Sequence, residues 1–269
     1  VNKLLNVDRR IIYVILVIAL AFPLIRPLGI PLLVNDSTTA VHAIIEGLDP
    51  ATDVVLLSFD YGPSSAGDIH PQATAIVNHL TKRGIKWVGV AFWADGPMMA
   101  DLLIADLEAQ GGKYGTDFVN LGFMTGGENA IRSFAVDALV IPTDIRGNKT
   151  ADLPVMQGIK DMNDFGFVFE FASGTPGYEA FIRQAVDPMG VKFAAGVVTV
   201  SVTGAMPFYN SGQLKGLLQG LRGAAEYELL IGIPGDGAAA MDASSLGHLV
   251  IVGFILVGNF AYFFSKKKK

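Results

Sequence analysis

The chain contains no cysteine. Disulfides, thiolate-held metals and a cysteine nucleophile are therefore excluded outright. Charge is also scarce. Asp, Glu, Lys and Arg make up 17% of the residues, against roughly 25% in an ordinary soluble domain, and the net charge is −5. That balance, with no basic stripe mid-chain, argues against a nucleic-acid partner. Neither phosphate-binding sequence, Gly-x4-Gly-Lys-Ser/Thr or Gly-x-Gly-x-x-Gly, is present, and the Gly-x-Ser-x-Gly elbow of a serine nucleophile is missing too. No cofactor is implied, and no repeat of solenoid period occurs.

What the chain does have is a long apolar run near each end. Ile11 to Ile25 is followed by Arg26 and two prolines, Pro27 and Pro31, up to Val34, and Leu246 to Phe264 is followed by Ser265 and Lys266 to Lys269. A bilayer core needs about 20 apolar residues of helix. The first run reaches that length only when read on to Val34, with Arg26 snorkelling its guanidinium to the interface. No small-x-small cleavage site follows it, so it reads as an uncleaved anchor rather than a signal peptide. Lys3, Arg9 and Arg10 flank one run and the lysine tail flanks the other. Positive flanks at both outer ends predict two spans with both termini cytoplasmic and an extracytoplasmic domain between them. Such a domain without disulfides points to a prokaryotic plasma membrane. The expected organisation is an N-terminal stub and span over 1–34, an α/β domain over 35–232, a Gly/Ala-rich connector over 233–245, and a second span with its tail over 246–269. Gly253, Gly258 and Asn259 in the second run suggest a helix–helix contact, with the Asn259 amide bonded across it.

Between the anchors, continuous β-branched and apolar runs alternate with helical patterns. Strands are expected at Asp53 to Asp60, Lys86 to Trp93, Asp117 to Phe123, Gly166 to Ala172 and Phe193 to Val200, with a further short strand near Asp137 to Ile141. Strands buried on both faces and separated by helices predict a Rossmann-like or flavodoxin-like doubly wound sheet of about five mostly parallel strands. The strand order is not readable from these patterns. A last soluble helix is expected from Gly212 to about Leu230. Gly212, Gly216 and Gly220 would then share a face for close intramolecular packing or for an oligomer contact.

In such a sheet ligands bind beyond the carboxyl ends of the strands. The candidate ligand-binding residues there are Asp60, Ser64, Ser65, Asp95, Thr125, Gly126, Gly127 and Ser173. Thr125-Gly126-Gly127 before a helix is the most suggestive, because exposed backbone N–H groups at a helix start favour anions. Glu170 lies within its strand and, if ionised, needs a partner. Asp60, Asp68 and His70 form a weak candidate metal set. His42 and His248 read as surface and interfacial residues, and His79 lies too far along its helix from His70 to share a metal with it. The loop Gly62-Pro63-Ser64-Ser65 resembles that of membrane-bound serine peptidases of the signal-peptide-peptidase type. The resemblance covers those residues alone, without the glycine-rich oxyanion signature, and it assigns no role to any residue.

Three functions follow as expectations. The first is a non-enzymatic structural or accessory subunit of an oligomeric membrane assembly, with the lipid bilayer and other subunits as partners. The second is a small-ligand-binding or sensor module. The third is a membrane-anchored hydrolase using Ser64 or Ser65, or a metal near Asp60 and His70.

Overall fold

The computed structural model describes residues 8–266, and the side chains of residues 8–263. Lys3 and the lysine tail, part of the positive-flank argument, lie outside the described side chains.

Six parallel strands form one sheet in the order β3-β2-β1-β4-β5-β6. They are β1 Val54–Asp60, β2 Lys86–Ala91, β3 Phe118–Phe123, β4 Phe167–Ala172, β5 Phe193–Val197 and β6 Leu217–Gln219. The order reverses between β1 and β4, as in a doubly wound fold. The soluble helices are α2 Asp36–Glu46, α3 Ala66–Arg83, α4 Gly96–Ala109, α5 Glu128–Val136, α6 (the pieces Tyr178–Phe181, Ile182–Val186 and Asp187–Met189, the middle one π-helical), α7 Val202–Asn210 and α8 Gly220–Ile231. All seven residues of β1 are buried, which explains why its sequence is apolar throughout rather than alternating. Side chains alternate between two cores. Val54, Leu56, Val168 and Phe193 join Phe134 of α5 and Phe181 of α6 on one face. Phe59, Trp87, Phe167, Phe169 and Phe171 join α3 and α4 on the other. Each such fully buried side chain contributes about 1.5–3 kcal/mol.

The sixth strand was not expected. Residues 212–230 are not one helix: α7 ends at Asn210, a turn passes through Gly212 at φ +81°, β6 follows, and α8 starts only at Gly220. Gly212, Gly216 and Gly220 therefore share no helical face. Two of them mark close approaches inside the domain. A Cβ on Gly216 would lie 2.5 Å from Val41 Cγ2, and one on Gly220 would lie 2.1 Å from Thr199 Oγ1. The short strand expected near Asp137 is irregular chain.

At the ends, α1 covers Arg9–Ile25 and α9 covers Asp236–Lys266. Among the described residues one helix is long and apolar enough to cross a membrane, namely α9 over Asp236–Phe263. The expected N-terminal span to Val34 is not formed. Helix α1 stops at Ile25 and Arg26 is already extended, because Pro27 disfavours helical backbone in the residue before it. At 17 residues, α1 is about 25 Å long. The stretch 233–245 is no loose connector either, since from Asp236 it forms the first turns of α9. The two end helices pack together antiparallel. A Cβ on Gly247 would lie 2.9 Å from Leu20 Cδ2. One turn earlier in α9, the buried Asp242 carboxylate accepts the N–H groups of Leu28, Gly29 and Ile30 at 2.7, 2.9 and 3.1 Å. Glu228 of α8 holds the start of α9 in the same way, accepting from Gly235, Gly237 and Ala238. The Asn259 amide donates to the Ile255 carbonyl of its own helix at 2.8 Å.

Candidate functional site

The fold places its switch point between the carboxyl ends of β1 and β4. Asp60 ends β1 and is wholly buried. Strand alternation sends its side chain to the α5–α6 face, together with Ser58 and Phe92, while Tyr61 turns to the α3 face. Asp60 accepts the Phe92 N–H at 2.6 Å and the Ser58 hydroxyl. In β4, Glu170 stands in register with Ser58 and is also wholly buried. Neither of its carboxyl oxygens has a hydrogen-bond partner among the described residues, yet Asp60 is near enough for the two charges to repel. Burial, and then Asp60, push Glu170 well above the usual carboxylate range. Burial lifts Asp60 to about 7, opposed first by the Ser58 hydroxyl and then by the Phe92 N–H. The donors around Asp60 favour its ionised form and Glu170 has none, so the proton of the pair resides on Glu170.

This carboxyl pair does not open onto a binding crevice. Above it, Trp93 lies across Gly174, where a Cβ would come within 2.9 Å of the indole ring, and its Nε1–H donates to the Pro176 carbonyl at 3.0 Å. On the other face of the sheet, α3 fills the crevice with its own side chains. Gln72 Nε2 donates to the carbonyls of Val197 and Gly220 at 3.2 and 3.0 Å. The Asp68 carboxylate accepts from Thr199 N–H at 2.6 Å and Leu221 N–H at 2.9 Å. What remains open is a cavity of about 160 Å³ beside the β4 edge, walled by Thr175, Tyr178 and Ser201. That is below the roughly 300 Å³ at which ligand pockets begin. Burial, then Glu179 and then Glu170, raise the Tyr178 phenol above its ordinary value.

The sequence-predicted residues are only partly gathered. Ser173 is at the switch point, where both its N–H and its hydroxyl donate to the Asp60 carbonyl at 3.1 Å and clasp β4 to β1. Asp95 leans over Gly62, which has no side chain to block it: a Cβ there would sit 2.7 Å from Oδ2. Ser65 donates to the Gly62 carbonyl at 3.2 Å and serves the turn, while Ser64 is exposed. Thr125, Gly126 and Gly127 follow β3, the outermost strand, two strands away from the switch point. Glu128, next in the chain, already places a carboxylate at that helix start, paired with Arg183 at 2.9 Å. The weak metal set dissolves, because Asp60 faces one side of the sheet while Asp68 and His70 belong to α3 on the other. His70 Nδ1 is paired with the Tyr61 hydroxyl at 2.8 Å. Among the described residues no serine hydroxyl is hydrogen-bonded to a histidine.

Sequence reasoning missed Ser58 and the Phe92 N–H as partners of Asp60. The available signal was two polar residues, Ser58 and Asp60, at alternate positions of an otherwise apolar strand. Comparison with protein-family models, with curated proteins and with solved structures returns no match.

Proposed function

We propose that this chain is a membrane-anchored protein that holds a Rossmann-like domain against the extracytoplasmic face of a bilayer, as a structural or accessory subunit of an oligomeric membrane assembly. One observation carries this reading: the helix pair α1–α9 is apolar on its outside as well as in its contact. Ile11, Val14, Val17 and Ile18 of α1 and Leu249, Val252, Ile255 and Leu256 of α9 are all exposed. A contiguous apolar surface of that kind on a water-soluble monomer would be an interaction site, and on two antiparallel helices it suits lipid. Within the bilayer α9 is the crossing helix, and α1, too short to span by itself, lies against it with its apolar side chains toward lipid. Arg9 and Arg10 stand at the end of the pair remote from the domain, which favours a cytoplasmic location for that end.

The assembly half of the reading rests on two further features. The crevice that serves enzymes of this topology is filled by Gln72, Asp68 and Trp93, which closes the carboxyl edge of the sheet to a ligand. In α9, a Cβ on Gly253 or Gly258 would meet nothing within 4 Å. That leaves room for another helix to approach closely. Alkaline extraction of membranes followed by native mass spectrometry in mild detergent tests both halves. Retention in the membrane and a defined oligomer or co-purifying subunit are expected. Release into the supernatant contradicts the anchor, and a lone monomer contradicts the assembly.

A further inference from the structure

A second group of side chains lies between α2, α3 and α8, away from the switch point. His79 is almost wholly buried. Its Nδ1 is 2.7 Å from the Tyr227 hydroxyl and its Nε2 is 2.9 Å from Glu46 Oε1. Arg83 grips the other oxygen, Oε2, and also the Glu46 carbonyl, so the carboxylate is fixed with Oε1 turned inward. These contacts satisfy His79 completely and would suffice as a structural relay. His42 is surplus to that relay. It sits one helical turn before Glu46, stacks on His79 with ring centroids 4.9 Å apart, and brings its Nε2 to 3.8 Å from the same Oε1. Among the described residues it makes no side-chain hydrogen bond.

Two imidazole nitrogens and one carboxylate oxygen thus converge, all within 4.8 Å of one another. Ligand atoms around a tetrahedral zinc ion at about 2.0–2.1 Å are about 3.3 Å apart, a value between the 2.9 and 3.8 Å found for the two His–Glu pairs. We propose that His42, Glu46 and His79 bind one divalent transition-metal ion of the kind imidazole prefers, with Zn2+ as the reference case. The donor set is two histidines and one glutamate, which leaves a coordination position for water or a substrate atom. Glu46 and His42 are partly exposed, so the ion has a path from solvent. The supporting shell is already built. When Nε2 of His79 takes the metal, its proton moves to Nδ1, which then donates to the Tyr227 oxygen and fixes the ring. Arg83 holds the oxygen of Glu46 that the ion does not use. The two residues of α2 share one helix face by their four-residue spacing, and His79 reaches them only through tertiary packing.

The test is Zn2+ titration of the full-length protein in detergent by isothermal calorimetry, with three variants alongside. One equivalent is expected for the wild type. His42→Ala, which removes a partly exposed side chain that makes no hydrogen bond among the described residues, should weaken binding by more than tenfold. Tyr227→Phe should weaken it by about 10–100-fold through the orientation of His79. His248→Ala, in α9, should leave it unchanged. Independently of any variant, one equivalent of Zn2+ should shift the imidazole nitrogen resonances of His42 and His79 and leave those of His70 and His248 in place. Absence of stoichiometric binding, equal affinity in His42→Ala and wild type, or shifts confined to His70 and His248 would each overturn the assignment.

Discussion

Replacing Glu170 by glutamine keeps the shape of the side chain and removes its proton equilibrium. In the folded protein burial and Asp60 hold Glu170 protonated well above the ordinary carboxylate range. In the unfolded chain it ionises near 4.3. The folded value is raised, so the stability tied to this group is fully present below about pH 4 and is lost as pH rises toward the folded value. Each bound proton that unfolding releases changes stability by about 1.4 kcal/mol per pH unit. From about pH 5 up to the folded value the wild type should therefore lose stability that Glu170→Gln does not lose, with a slope of up to about 1.4 kcal/mol per pH unit. Asp60, lifted to about 7, adds its own slope to both proteins and cancels in the comparison. Any penalty from the amide in the carboxyl's place shifts the whole curve without tilting it. Urea unfolding followed by tryptophan fluorescence is the assay, since Trp87 and Trp93 both belong to the sheet domain and report nothing from α1 or α9. Curves of stability against pH that run parallel would refute the proton placement on Glu170.

Other perturbations follow from the packing. Gly96→Ala would put a Cβ 1.9 Å from the Phe59 carbonyl oxygen, a contact with backbone that nothing can relieve, and should cost at least about 2 kcal/mol in the same urea assay. Asp242→Ala leaves the N–H groups of Leu28, Gly29 and Ile30 without their acceptor. It should cost about 2–3 kcal/mol locally, read as faster amide exchange over residues 28–30 with the sheet unchanged. Trp93→Phe removes the hydrogen bond to Pro176 and should destabilise by about 1 kcal/mol while increasing proteolysis in the 173–177 loop.

Much of the sheet domain was legible because burial on both faces writes itself into sequence. The run VVLLSF in β1 and FVFEFA in β4 have no solvent face to mark with polar residues, and the helices between them carry ordinary stripes and Gly84-type ends. β6 was not legible. Three residues give no periodicity, and the glycines at 212, 216 and 220 imitate a helical repeat although two of them bend the chain at positive φ. Strand order is set by which cores meet in space, a non-local property that no window of sequence contains. Asp60 was placed on an open edge because it ends its strand, whereas alternation turns it inward beneath Phe92. Glu170 was rightly singled out as needing a partner, but the neighbour is Asp60 of an adjacent strand, visible only once β1 and β4 are paired. At the N-terminus Pro27 stops the helix earlier than the span read on to Val34 requires. The cluster at His42, Glu46 and His79 had one local signal, the four-residue spacing in α2, and its third member comes from 33 residues beyond Glu46.

The most direct test of the membrane account uses the absence of cysteine, which makes every single-cysteine variant unambiguous. Asp8→Cys, Ser64→Cys and Ile255→Cys are expressed in the full-length chain, and intact cells are treated with a membrane-impermeant maleimide before and after lysis and then in detergent. The account predicts that Ser64→Cys labels in intact cells, Asp8→Cys only after lysis, and Ile255→Cys only in detergent. Labelling of Ile255→Cys without detergent, or of Asp8→Cys and Ser64→Cys from the same side, would contradict it.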